Sequence, residues 1–343
     1  RKVPDGSLHC TGAGTVFSRD VFEKGTSMGD TSLRRIKEKI QDHMLLGSIY
    51  DNVMLKTKYR DAKLSFLYNV MIGQKHRMLY YKTLKRKYLE KVTADRPWET
   101  LEKKANQGRI WFCWLQGLEQ APPLVKLCYE ALGQKLPDRE IVVIDAKNVF
   151  DYITLPEEIV EKWKRGIIGP AHFSDLIRLE LLVRYGGYWI DATVYCTDGG
   201  LLAYTDQLSV FMYSFYYFGF NPEIMETNNW FLYGTTNQNI YCLTRELLYA
   251  YWKDNDRAVD YYIFHLFMTM ACDYYREEYQ AMPIVSQVES HVLATYMGQP
   301  YDGVKYELLK SRCGFHKLST RFSEKETSGQ DTFYQYLMQG KLR

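Results

Sequence analysis

Asp175, Arg178 and Asp191 have the residue types and spacing for group-transfer chemistry, and all three lie in one stretch, residues 172–197, HFSDLIRLELLVRYGGYWIDATVYCT. Its first half has the period of a helix, with Phe173, Leu176, Ile177 and Leu181 as an apolar stripe. Asp175 and Arg178 are three residues apart and share one face. Tyr185-Gly186-Gly187 stops the helix and turns the chain. Residues 188–195 then read as a strand, whose period of two puts Trp189, Asp191 and Thr193 on one face and Ile190, Ala192 and Val194 on the other. Moving a sugar from a nucleotide diphosphate needs positive charge at the departing diphosphate, groups that orient the sugar hydroxyls, and a pocket for base and ribose. Asp191 suits a hard divalent cation, which prefers oxygen ligands. Asp175 with Arg178 suits sugar hydroxyls or phosphate oxygens. A plain helix ion pair and a strand-end cap are the alternative roles for the same side chains.

The elements that would position these groups begin upstream. Residues 110–115, IWFCWL, form a short apolar run ended by Gln116-Gly117, and Pro122-Pro123 opens a helical stretch, 124–132, closed by Gly133. Residues 140–145, EIVVID, form a β-branched run ending in a carboxylate. Strand, helix and strand in so short a span predict a βαβ unit with parallel strands. Ligands in such sheets bind beyond the carboxyl ends of the strands, which puts Leu115, Gln116, Gly117 and Asp145 where a nucleotide is expected. The chain contains no GxGxxG and no GxxxxGK[ST], which disfavours a dinucleotide-dependent dehydrogenase or a P-loop enzyme. Residues 31–104 have a helical pattern, starting with Leu33, Ile36, Ile40 and Met44 and broken at Arg96-Pro97-Trp98, and residues 1–30 are rich in Gly, Ser and Thr and expected to be loosely ordered.

The central stretch resembles the DxD sugar-transferase signature, S-D-x-x-R-x-x-x-L-x-x-Y-G-G-x-Y-x-D-x-D. It stands here as Ser174-Asp175, Arg178, Leu182, Tyr185-Gly186-Gly187, Trp189 and Asp191. The flanks resemble the capsular polysaccharide synthesis branch of glycosyltransferase family 32 at residues 110–117, Ala121-Pro122, residues 171–175, Asn229-Trp230-Phe231, Asp260-Tyr261 with His265, and His316-Lys317-Leu318. The resemblance spans residues 108–320. It implies an α/β fold with a GT-A-type, Rossmann-like nucleotide-sugar-binding core, a nucleotide-sugar donor of which UDP-sugar is the safer choice, Mn²⁺ or Mg²⁺, and transfer with retention at the anomeric carbon. By position, Asp175 and Arg178 would contact the donor sugar, Asp191 the metal or ribose, and Leu115-Gln116 the base. Gly187 falls within the same signature and joins the expected donor site. Thr193 replaces the second acid of DxD, so either metal affinity is lower or another group completes the shell; His316 is the candidate beside Asp191 and Thr193, with a plain surface histidine as its alternative role. Lys317 would neutralise the diphosphate. Asn229 would face the reacting sugar, and Asp260 with His265 the acceptor side, although His265 also suits a core histidine on a helical run.

The rest of the chain sets bounds. At 343 residues with 46% apolar and 25% charged side chains, it is an ordinary globular sequence. Twenty-nine tyrosines suit both sugar stacking and a large core. Seven scattered cysteines without CxxC spacing fit a reduced, cytoplasmic protein. The longest apolar runs, 209–220 and 261–272, are too short to cross a bilayer. Net charge is only +3, yet residues 34–91 hold 15 Lys/Arg against 5 Asp/Glu. That excess fits a solvated helix face or peripheral contact with the inner face of a membrane, where a lipid-linked acceptor would sit. Nothing else in the chain supports nucleic acid as a partner. The expected organisation is a basic helical region (1–107), a transferase domain (108–320) and a C-terminal tail (321–343). The expected activity is hexosyl transfer to an oligosaccharide or lipid-linked glycan of a surface polysaccharide. A toxin-like protein glycosyltransferase and a weakened, glycan-binding pseudo-enzyme are the alternatives.

Overall fold

The structure is a computed structural model and describes residues 37, 39–40, 45–58, 61–215 and 224–342. The Gly-rich opening, Cys10, the helix-start positions Leu33, Ile36 and Met44, and part of the apolar run 209–220 lie outside the described residues. Two compact units form, Arg1–Leu79 and Tyr80–Arg343. In the first, helix α1 (Leu45–Thr57) is followed by most of α2 (Ala62–Leu84), which Asp61 caps by accepting hydrogen bonds from the amides of Lys63 at 2.9 Å and Leu64 at 3.1 Å. Asp51 is buried there and accepts from Lys75 Nζ at 2.7 Å and from the Tyr68 hydroxyl at 3.3 Å. No helix among the described residues is long and apolar enough to cross a membrane.

The second unit is built on a five-stranded sheet in the order β2-β1-β3-β6-β5. Strand β1 (Arg109–Cys113), helix α3 (Pro123–Lys135) and strand β2 (Glu140–Ile144) form the βαβ unit that the two apolar runs and the Pro-Pro break predict. The two strands are parallel, with Trp111 opposite Val142. Helix α4 (Glu157–Lys164) leads to α5 (Pro170–Tyr185), whose first-turn proline needs no amide partner. Strand β3 (Gly187–Ile190) then lies parallel to β1 on the side away from β2, pairing Trp189 with Trp111. The chain therefore leaves β1 toward one neighbour and returns beside it as the other. This reversal opens a crevice past the carboxyl ends of β1 and β3.

The expected single strand over 188–195 is instead two strands. Asp191 N still bonds Trp230 O at 2.9 Å, but Val194 N turns back to Asp191 O at 2.9 Å, so residues 191–193 form a turn. Strand β4 (Val194–Cys196) leaves the sheet and pairs antiparallel with a late strand. Strands β5 (Val210–Ser214) and β6 (Thr227–Gly234) complete the main sheet in antiparallel register, with Ile190 opposite Phe231. Helices α6 (Asn239–Asp254) and α7 (Ile263–Tyr274) bury one face of it. Helix α5 is buried at Phe173 and from Asp175 to Val183, on a wider arc than its apolar stripe predicts. Its charged members are paired, Glu180 with Tyr249 and with Arg245 at 3.2 Å.

Tyr81, Leu84, Tyr88 and Trp98 are buried in the same core as the sheet, so residues 80–107 pack with the segment that follows. A second apolar cluster joins the outer face of α3 to α8 (Val288–Tyr296), α9 (Gly303–Arg312) and α10 (Phe333–Met338), and it takes in Phe333, Leu337 and Leu342 from the C-terminal residues. Strand β7 (Phe315–Lys317) follows α9 and is the partner of β4.

The turn between α5 and β3 is set by two glycines. Gly186 (φ 65°) donates its amide to Leu182 O at 2.9 Å, and Gly187 (φ 94°) lies so close to β1 that a Cβ there would sit 2.7 Å from Arg109 O. Gly187→Ala combines a left-handed backbone with contact against main chain that has no side-chain freedom to yield. It is expected to cost about 3 kcal/mol in urea unfolding. A loss under about 1 kcal/mol would show that the α5–β3 corner tolerates a shifted backbone.

Candidate active site

The side chains that face the crevice come from four separate elements. Helix α5 places Asp175 and Arg178 one turn apart, with Asp175 7% and Arg178 3% exposed. Arg178 Nη1 pairs with Asp175 Oδ1, and its Nη2 reaches Asp191 Oδ1 at 3.4 Å, past the end of β3. The guanidinium lies over the Trp189 ring at 4.7 Å and the Phe264 ring at 5.3 Å, which fixes its plane. Trp189 Nε1 donates to the same Asp191 oxygen at 2.8 Å. From β7, Lys317 Nζ donates to Asp191 Oδ2 at 2.8 Å and to Thr193 Oγ1 at 2.7 Å. From β6, Asn229 Nδ2 donates to Asp175 Oδ1 at 3.1 Å. Two carboxylates thus alternate with two cations across the crevice.

Burial alone would push both carboxyls up. For Asp175, the nearby Arg178 outweighs it, with help from His172 and His265, and the carboxyl is held below its usual range. For Asp191, Lys317 and then Arg178 do the same. Groups whose folded pKa is depressed add stability that is present above the unfolded pKa of about 3.9 and lost as pH falls through the folded value. The thermal midpoint of the protein is therefore expected to fall steeply below about pH 4. The double variant Asp175→Asn/Asp191→Asn, starting from a lower midpoint, is expected to fall less steeply across the same window. Parallel curves for the two proteins would remove these carboxylates from the acid transition.

The groups surround a cavity of about 430 Å³. Leu115, Gln116, Asp175, Arg178, Asp191, Thr193, Asn229, His265 and Lys317, all singled out in the sequence, line it. Trp114, His172, Trp189 and Tyr261 line it as well, though sequence reasoning gave them no role. His172 was legible, since it precedes Asp175 by three on the same helix and its Nδ1 lies 3.7 Å from Asp175 Oδ2. Tyr261 falls in the Asp260-Tyr261 match but has no role assigned there; it is 66% exposed with its ring centroid 5.9 Å from that of His172.

Five expected site residues are placed elsewhere. Gly187 is at the opposite end of β3 from the cavity, packed on Arg109. Gly117 (φ 83°) shapes the turn after β1, and a Cβ on it would sit 3.6 Å from Asp145 Oδ2. Asp145 caps its own turn, accepting from the amides of Lys147 at 2.8 Å and Asn148 at 3.0 Å. Asp260 precedes α7 rather than lying in it, and accepts from Tyr262 N at 2.8 Å. His316 is the fifth. The strand period turns it away from Lys317, into full burial, where its Nε2 and Thr197 Oγ1 are 3.0 Å apart. Burial pushes its pKa down to about 4, so it is a neutral core histidine near pH 7.

Asp191, Thr193 and His316 therefore do not converge as metal ligands. Among the described residues, no group of three or more His, Cys, Asp or Glu side chains is placed to hold a metal ion. The Lys317 ammonium occupies the position between Asp191 and Thr193 that a bridging cation would need. The donor set does not fit a divalent ion.

No curated protein sequence matches this chain. Among solved structures, the PaToxG glycosyltransferase aligns at 12% identity with a TM-score of 0.37, over 60% of this chain and 83% of its own. The family model for capsular polysaccharide synthesis proteins matches residues 61–337, most of the sequence and all of the cavity's side chains, and the chain belongs to that family.

Proposed function

We propose that the chain is a glycosyltransferase that moves a hexose from a nucleoside-diphosphate sugar, with uridine as the base, to a hydroxyl of a growing capsular polysaccharide. The observation that carries this reading is the cavity at the β1–β3 crevice, where Arg178 and Lys317 are held in fixed positions by Asp175 and Asp191. Preorganised charge of this kind stabilises a leaving group without reorganisation at the moment of reaction. The ammonium of Lys317 faces the diphosphate. Asp175, oriented by Asn229, accepts hydrogen bonds from the donor sugar hydroxyls. The main chain at Leu115-Gln116 borders the base. Tyr261, exposed at the cavity, offers an aromatic face to the acceptor glycan.

Both carboxylates that line the cavity are committed to cations, so neither is free to attack the sugar. This supports retention by same-face attack. The C1–oxygen bond to the diphosphate breaks, and its electron pair stays on the diphosphate. The acceptor oxygen bonds C1 from that side and passes its proton to the departing diphosphate oxygen. Nucleotide sugars incubated with the full chain test the reading through binding and slow donor hydrolysis. One sugar bound and hydrolysed supports it, and no binding of any nucleotide sugar sinks it. A covalent sugar adduct on a carboxylate of this chain would overturn the same-face route.

A further inference from the structure

We infer that this site works without a divalent cation, with the ammonium of Lys317 as its built-in counter-charge to the diphosphate. The inference rests on the transferase reading above and deepens it. The oxygens that a metal would need already have partners within the protein. Asp191 Oδ1 already accepts from Trp189 Nε1 at 2.8 Å and Arg178 Nη2 at 3.4 Å, and Oδ2 from Lys317 Nζ at 2.8 Å. Thr193 Oγ1 accepts from the same ammonium at 2.7 Å. Asp175 Oδ1 is held by Arg178 and Asn229, and its Oδ2 faces His172 Nδ1 at 3.7 Å. Each of these side chains is thus engaged with a donor, and a hard dication prefers several free oxygens.

Two further features point the same way. Thr193 brings a neutral hydroxyl, and no second carboxylate, to the oxygens around Lys317. A hydroxyl is a poor metal ligand when neutral but a good acceptor for an ammonium. A metal entering between Asp191 and Thr193 would also have to displace the Lys317 ammonium, or sit beside it against like-charge repulsion. Residue types and geometry therefore agree: one carboxylate, one hydroxyl and one lysine form a closed cation site made of protein.

The ammonium is not saturated by this arrangement. It has three donors, of which two are used, and the lysine side chain is 21% exposed where it lines the cavity. The third N–H is available to a diphosphate oxygen. Its tether to Asp191 and Thr193 holds the charge in place, as metal coordination would elsewhere. As the C1–oxygen bond breaks, the electron pair moves onto a diphosphate already in contact with this ammonium, while the acceptor hydroxyl bonds C1 and loses its proton to the departing oxygen. Arg178 Nη1 and Nη2 each meet a carboxylate, so its charge is largely offset by Asp175 and Asp191 and it chiefly orients them.

The test compares the full chain in EDTA with the full chain in Mn²⁺. Nucleotide-sugar binding is followed by calorimetry, donor hydrolysis by product release, and metal uptake by the free-ion Mn²⁺ paramagnetic resonance signal, with and without UDP. Binding and hydrolysis within about twofold in the two conditions, with no Mn²⁺ uptake at micromolar metal, are expected. Lys317→Ala should then lower hydrolysis about 10²–10³-fold, added Mn²⁺ should not restore it, and Lys317→Arg should keep part of it. Activity that vanishes in EDTA and returns with Mn²⁺ overturns this inference and leaves the transferase reading standing. A protein that binds no nucleotide sugar in either condition sinks both. The wild-type arm decides the matter even if the alanine variant folds poorly.

Discussion

Asp191→Asn is expected to lower donor turnover about 10²–10³-fold while the protein stays folded. The substitution is nearly isosteric, so packing around Ile190 and Ala192 is unchanged, and the loss falls on hydrogen bonding and charge. In the native site the carboxylate meets donors on both oxygens, from Trp189 and Arg178 on one and from Lys317 on the other. An amide has one oxygen. Whichever way it turns, its NH₂ faces a donor, and either Lys317 or the Trp189–Arg178 pair loses its acceptor. Lys317 can hydrate, being partly exposed, so the cost in stability should be modest, about 1–2 kcal/mol. The cost in rate should be larger, because a lysine without its tether no longer holds its charge where the diphosphate departs. Steady-state kinetics should show kcat falling more than KM rises, since the interaction strengthens as charge develops on the leaving group. A fall of less than tenfold in kcat would mean that Asp191 neither positions Lys317 nor meets the donor.

Much of this site was legible in the sequence, for reasons that also mark where legibility stopped. The β1–α3–β2 unit could be predicted because its runs are short, strongly apolar and separated by Pro-Pro and Gly, which are local signals. Asp175, Arg178 and Asp191 could be picked out because one helix and one strand, joined by Gly186-Gly187, carry them all. What failed depended on pairing at a distance. The break after Ile190 arises because β4 leaves for β7, more than a hundred residues away, and alternation alone does not reveal a change of partner. The same pairing decides that Lys317, not His316, faces Asp191. In the sequence both were candidates, and only the register of Val194 opposite Lys317 separates them. Gly187 was assigned to the donor site from its place in a motif. Its structural task, close approach to Arg109 at the far end of β3, shows that a residue within a functional signature can serve the backbone alone.

Arg178→Met should produce the largest loss of stability in the molecule's active-site region, about 3–5 kcal/mol, because it removes one partner of a buried charge network and leaves the others. Methionine keeps the aliphatic stem between Trp189 and Phe264, so little of the loss is packing. What remains is Asp175, almost fully buried, with Asn229, His172 and His265 beside it, and Asp191 with Lys317 and Trp189. At 2–4 °C per kcal/mol for a unit of this size, the thermal midpoint should drop by about 10 °C. The pH dependence identifies the cause. In the native protein Arg178 holds the Asp175 carboxyl down against burial, and without it burial pushes that carboxyl up. A group whose folded pKa is raised gains stability as pH falls, so the gap between variant and wild type should narrow from pH 7 to pH 4. Arg178→Met/Asp175→Asn should recover part of the loss at pH 7, since it removes the stranded charge. A gap that stays constant with pH, with no recovery in the double variant, would mean that Arg178 stabilises the site through packing on the two aromatic rings and not through the carboxylates it joins.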